Sequence, residues 1–204
     1  MEQLKLEVLA TAKRMYREAL VSGSSGNISA YDPQKKLMYI TASGTDYEDM
    51  TEADIIEMRT DGAVLSGRGE PSSEWRMHAM VYEKRGDVRA VVHTHSPYAT
   101  GFAVLHKPIP LVLIEMVPFL GGSIPLAEFA LPGTAALGER ALEVLSNRYG
   151  CLLSNHGALT IGPDLAEAYL RAVYLEDASK IYYNACSCGS EPVIISDEIA
   201  SQMV

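Results

Sequence analysis

Two histidines one residue apart close an apolar run, Val91-Val92-His93-Thr94-His95, and no other stretch of the chain narrows its possibilities as much. Side chains at i and i+2 of a strand point to the same face. An extended backbone here aims both imidazoles at one point, which is how a strand supplies two metal ligands. The plainer reading is a pair of half-exposed strand histidines. One short helical run earlier stands Pro71-Ser72-Ser73-Glu74-Trp75-Arg76, which puts a carboxylate in the first turn of a helix that leads into that strand.

The rest of the chain alternates helices with short strands and shows no linker or repeat. Leu4, Val8, Ala12, Met15, Ala19 and Leu20 form an apolar stripe at helical spacing, so residues 2–21 read as an amphipathic helix. Strands follow at 28–31 and 37–41 around Asp32-Pro33-Gln34-Lys35, then a capping-box spacing, Thr51 with Asp54, opens a short helix to Met58. Further on, the pattern predicts a strand at 63–66, a helix from Ser72 or Ser73 to Arg85, a strand at 88–95 and a helix from Pro97 to His106. Strands at 111–117 and 123–126 precede a helix from Thr134 to Tyr149, with Gly150 as its stop. Strands at 151–154 and 158–161 lead to a last long helix, to about Ala185, and a helical turn or two in the tail 196–203. These short strands, hairpin-like at first, favour a mixed three-layer α/β/α domain over a doubly wound parallel sheet.

At 204 residues and 48% hydrophobic content, residues 1–204 are expected to form a single domain that buries roughly 70% of its unfolded-chain surface. No apolar run approaches a membrane span, and Met1-Glu2-Gln3-Leu4-Lys5 lacks the layout of a signal peptide. A net charge of −9 gives no general attraction to nucleic acid or acidic lipid, so an anionic substrate needs local donors. The three cysteines, Cys151, Cys186 and Cys188, have no ladder of spacings, which suits a reducing cytoplasm.

A catalytic zinc has three protein ligands and an open position. The best third candidate beside His93 and His95 is His156, set at a strand break between Asn155 and Gly157. His78, four residues after Glu74 on the same helix face, could be a ligand or, more simply, a packed helix histidine; His106 reads as a surface helix end. Glu74 is either a first-turn residue complementing the helix dipole or, beside a divalent ion, a resting ligand that becomes an acid/base. Three small-residue loops, Ser25-Gly26-Asn27, Ser43-Gly44-Thr45 and Ser72-Ser73, could converge as a nest of N–H and hydroxyl donors that holds a phosphate without lysine or arginine.

In order and spacing, Gly26-Asn27, Ser43-Gly44, Pro71-Ser72-Ser73-Glu74-Trp75, His93-Thr94-His95 and Asn155-His156-Gly157 resemble the class II aldolase/adducin family across nearly the whole chain. The resemblance implies an α/β/α sandwich around a mostly antiparallel sheet, assembled as a C4 homotetramer. It implies one zinc ion per subunit, with manganese or cobalt as possible substitutes, on His93, His95 and His156. Glu74 would be a resting ligand and the catalytic acid/base. Gly26, Asn27, Ser43, Gly44, Ser72 and Ser73 would bind the phosphate of a small sugar phosphate. The reaction implied is reversible aldol cleavage of a ketose 1-phosphate such as L-fuculose 1-phosphate, giving dihydroxyacetone phosphate and a short aldehyde.

The chain departs from that pattern on the aldehyde side. Aldolases that act on fuculose phosphate carry a tyrosine where Ile114 stands, an aromatic where Pro132 stands, and a C-terminal tyrosine with no counterpart before Val204. Loose aldehyde preference is the expected consequence. Family members that epimerise, dehydrate or decarboxylate sugar or oxo-acid phosphates share the metal set. A non-catalytic adducin-head-like module would instead lack the histidines, and all three are present.

Overall fold

The computed structural model describes residues 2–203; Met1 and Val204, the ends of the expected single domain, lie outside them. In chain order the elements are α1 (Glu2–Arg17), β1 (Asn27–Asp32), β2 (Leu37–Thr41), a 3₁₀ turn (Glu52–Asp54), β3 (Ile55–Arg59), β4 (Val64–Ser66), α2 (Trp75–Lys84) and β5 (Ala90–Thr94). They continue with α3 (Pro97–Val104), α4 (Met116–Leu120), β6 (Leu126–Ala127), α5 (Ala135–Leu145), β7 (Gly150–Leu153), β8 (Gly157–Gly162), α6 (Leu165–Ser187) and α7 (Asp197–Ala200).

The strands form one open eight-stranded sheet in the order β4-β3-β2-β1-β5-β8-β7-β6. Every pairing is antiparallel except β6 with β7. Alternation along the strands divides the packing between the two faces of the sheet. Met38, Ile40, Val91, Leu159 and Ile161 pack against Met77 and Val81 of α2 and Leu137 and Ala141 of α5. Ile28, Ala30, Ala90 and Val92 face the other way, onto Val8, Ala12 and Met15 of α1 and Ala168 and Ala172 of α6. The three-layer α/β/α arrangement around a mostly antiparallel sheet follows from that division.

Several local expectations are corrected. The capping box opens only one 3₁₀ turn: Thr51 N–H donates to Asp54 Oδ2 at 2.8 Å, and the chain then turns into β3 rather than a helix to Met58. Ile55 packs to one face of the sheet and Ile56 and Met58 to the other, and pairing along the length of β2 outweighs the local helix signal. The strand expected at 111–117 is absent; α4 starts at Met116, and Pro118 falls in its first turn, where a missing N–H costs nothing. The first helix stops at Arg17, with Ala19 at φ 57° breaking it ahead of the buried Leu20 and Val21. Gly150 does not stop α5, which ends at Leu145; it begins β7, where an added Cβ would sit 2.9 Å from Leu175 Cδ1. Close packing, rather than helix termination, is the reason for a glycine there.

Candidate metal centre

Three elements deliver the site. β5 holds His93 opposite Asn27 of β1, on the face covered by α2, and His95 follows one residue past the strand end. The turn from β7 to β8 carries His156 and is made by Asn155 at φ 53°, a left-handed conformation that asparagine tolerates. Gly157 lets this turn close on β5, since a Cβ there would lie 2.2 Å from the Thr94 carbonyl oxygen and 3.2 Å from both His93 Cε1 and His95 Cδ2. α2 begins directly after Glu74, which occupies its N-cap instead of its first turn, and Ser72 Oγ accepts the Glu74 N–H at 3.3 Å.

The side chains meet at one point. Nε2 of His93 is 3.0 Å from Nε2 of His95 and 3.1 Å from Glu74 Oε2, and Glu74 Oε1 is 3.2 Å from His156 Nε2. His93 Nδ1 lies 2.9 Å from the Ala158 carbonyl oxygen, which can only accept. The proton on Nδ1 leaves Nε2 as the ligating nitrogen, the arrangement that outer hydrogen bonds impose on metal-binding histidines. Glu74 Oε1 is buried and receives no hydrogen bond. Three imidazole nitrogens and a carboxylate oxygen without a donor, all turned inward, fit a divalent cation of the zinc type.

The electrostatics agree with that fit. Burial, with the neighbouring His93 adding to it, pushes His95 and His156 down to about 4, so both are neutral near pH 7 and offer lone pairs. Burial works to raise the Glu74 carboxyl, but His93, His156 and the Asn27 amide outweigh it and hold it well below the usual carboxylate range. His93 is raised: burial alone would lower it, and the adjacent Glu74 charge reverses the sign. The pocket is built for positive charge at its centre.

Comparison with known proteins identifies the family. The family described as Class II Aldolase and Adducin N-terminal domain matches residues 6–183. The chain belongs to the class II aldolase and adducin family. Among class II aldolase relatives, it is 35% identical over 193 residues to the 5-deoxy-D-ribulose 1-phosphate aldolase of Bacillus thuringiensis, covering 95% of this chain and 90% of that protein. It is 34% identical over 200 residues to the L-fuculose phosphate aldolase of Escherichia coli strain K12, covering 97% and 92%. A solved L-fuculose 1-phosphate aldolase superposes with a TM-score of 0.94 at 37% identity, over 98% of this chain and 94% of that one. Class II aldolases are metal-dependent aldehyde-lyases, and this chain is an enzyme of that kind.

The three small-residue loops are brought side by side. Ala42 bridges Pro71, Ser43 N–H donates to Glu70 O at 2.9 Å and Ser72 N–H to Thr41 O at 3.0 Å. Tyr47, which the sequence reading passed over, stitches the 43–47 loop to the first one by donating to Gly26 O at 2.8 Å. Ser43, Gly44 and Ser73 are exposed, whereas Ser72 and Asn27 are buried. One N–H of Asn27 Nδ2 donates to Glu74 Oε2 at 2.9 Å, which uses one of its two hydrogens. His78 is not brought into the metal cluster; it is a buried helix histidine bonded to Asn27 and Ser29. His106 and the two C-terminal cysteines are exposed, and Ile114 and Pro132 lie on exposed turns. Among the described residues no helix is long and apolar enough to cross a membrane.

Proposed function

We propose that this enzyme cleaves a deoxyketose 1-phosphate into dihydroxyacetone phosphate and a short aldehyde, with one divalent ion, zinc by preference, on His93, His95 and His156. The observation that supports this most is Glu74: its Oε2 is fixed by Asn27 while its Oε1 faces His156 with no donor of its own. Such a carboxylate can give up a ligating position and exchange a proton. Bound there, a divalent ion supplies positive charge for the oxygen that becomes negative as the bond breaks, worth several kcal/mol.

The chain's own residues account for the rest. Ser43, Gly44, Ser72 and Ser73, with Gly26 and the free Asn27 hydrogen, hold the phosphate through N–H and hydroxyl donors. The C3–C4 bond breaks, the C4 hydroxyl passes its proton to the Glu74 carboxylate as it becomes an aldehyde, and Glu74 then delivers that proton to C3. Ile114 and Pro132 offer no hydroxyl to the aldehyde, so the aldehyde preference is loose and short or apolar aldehydes are accepted. Both substrate types named for the relatives fit this pattern: L-fuculose 1-phosphate gives lactaldehyde and 5-deoxyribulose 1-phosphate gives acetaldehyde.

Large apolar side chains left exposed, Phe129 at 55% and Leu131 at 65%, support a homo-oligomer, for which the family resemblance implies C4 symmetry with sites near subunit junctions. Residues 1–204 act as one cytoplasmic domain in this reading. Zinc-loaded protein incubated separately with the two phosphates should release dihydroxyacetone phosphate, read by a coupled reductase, and should run as a tetramer in light scattering. Metal-loaded protein that releases none from either compound would overturn the assignment.

A further inference from the structure

A second line of buried polar groups leaves the Glu74 carboxylate, and the metal chemistry makes no use of it. Asn27 Nδ2 donates to Glu74 Oε2 at 2.9 Å, and Asn27 Oδ1 lies 2.6 Å from His78 Nε2. His78 Nδ1 is 2.7 Å from Ser29 Oγ, which is 2.6 Å from the Tyr82 hydroxyl. Asn27, Ser29, His78 and Tyr82 are all at most 5% exposed, so bulk water does not compete for any link.

Elementary donor and acceptor chemistry gives the line a single direction. An ionised carboxylate only accepts, so Asn27 must turn its NH₂ to Glu74 and its carbonyl to His78. His78 therefore carries its proton on Nε2. Burial pushes this ring down to about 3, so it is neutral and its Nδ1 is bare. Ser29 must then donate to Nδ1, and Tyr82 must donate to Ser29. With the opposite tautomer, His78 Nε2 would draw the Asn27 NH₂ to itself and set the amide oxygen against Glu74 Oε2, two acceptors facing each other in a dry site.

Granting the proposed proton-transfer role of Glu74, we propose that His78 is a positioning residue for it. The ring, one turn along α2 from Glu74, fixes the Asn27 amide so that Oε2 is anchored and Oε1 is the oxygen that exchanges the proton. Second-layer partners of this kind orient reactive carboxylates without touching substrate.

The test combines a spectroscopic and a kinetic reading on the metal-loaded full chain. Protein labelled with ¹⁵N at histidine, with the His78 signals assigned by their absence in His78→Gln, should show a His78 ring protonated at Nε2 and bare at Nδ1 at neutral pH. A proton on Nδ1, or on both nitrogens, would overturn the proposal whatever the enzyme's reaction. In the kinetic arm, solvent deuterium incorporation into dihydroxyacetone phosphate should fall roughly 10–100-fold in His78→Leu with metal content unchanged. His78→Gln, which still presents an N–H to Asn27 Oδ1, should recover most of that loss. Equal losses in Gln and Leu, with both folded, would reduce His78 to core packing and overturn the proposal. Should the Leu variant fail to fold, parental exchange in Ser29→Ala together with an unchanged His78 tautomer would do the same. No exchange in the parent protein would instead count against the aldolase reading, while the tautomer would still decide the direction of the chain.

Discussion

Nε2 of His93 and Nε2 of His95 face each other at 3.0 Å, with the Glu74 carboxylate 3.1 Å from the first. The Ala158 carbonyl holds the Nδ1 proton of His93, so Nε2 is the nitrogen left to face the cluster. Two nitrogen lone pairs and a carboxylate cannot share a buried point without a positive charge between them. A divalent ion satisfies all of them at once.

Alanine at His93, His95 or His156 should therefore remove most of the bound metal, measured by elemental analysis, while the far-UV spectrum stays native. Stoichiometric metal in His156→Ala would exclude that residue from the ligand set.

Much of this centre was legible because its parts obey strand and turn rules. His93 and His95 advertise a shared face by their spacing, and His156 stands at a break flanked by Asn155 and Gly157. Glu74 was visible as a carboxylate at a helix start, though not as the N-cap itself. The network behind it was not legible. Nothing in the spacing of Asn27, Ser29, His78 and Tyr82 says that β1 and α2 lie face to face, because that depends on sheet order. The same limit explains β3, where sheet pairing decided against a sound local helix signal, and Gly150, whose close neighbour Leu175 is 25 positions away in the chain.

Gly157 should tolerate no side chain. Alanine would place its Cβ 2.2 Å from the Thr94 carbonyl oxygen and force the His156 turn away from β5. Gly157→Ala should lose roughly 1–3 kcal/mol of stability, the usual cost of overpacking, and bind metal more weakly. Urea denaturation and metal titration check both; parental stability with full metal content would contradict the packing argument.

The buried His78 gives a pH signature. Burial, with the nearby His93 charge adding to it and Glu74 opposing, lowers its folded value to about 3, against about 6.5 in the unfolded chain. As pH falls below about 6.5 the unfolded chain takes up this proton first, so stability drops progressively down to about pH 3; above pH 6.5 His78 has no effect. In metal-free protein, urea midpoints at about pH 7 and about pH 4.5 should differ more for the parent than for His78→Gln. Equal differences would mean that His78 is not held neutral.

In the proposed reaction Glu74 moves a proton at the carbon next to a carbonyl held by the metal-loaded site. Metal-loaded protein in D₂O with dihydroxyacetone phosphate and no aldehyde should incorporate deuterium at C3, followed by NMR or mass spectrometry. Glu74→Gln should fold, yet exchange about 10²–10⁴-fold more slowly, the range for removal of a general acid/base. No incorporation by the metal-loaded parent, or a Gln variant exchanging at the parental rate, would contradict the account.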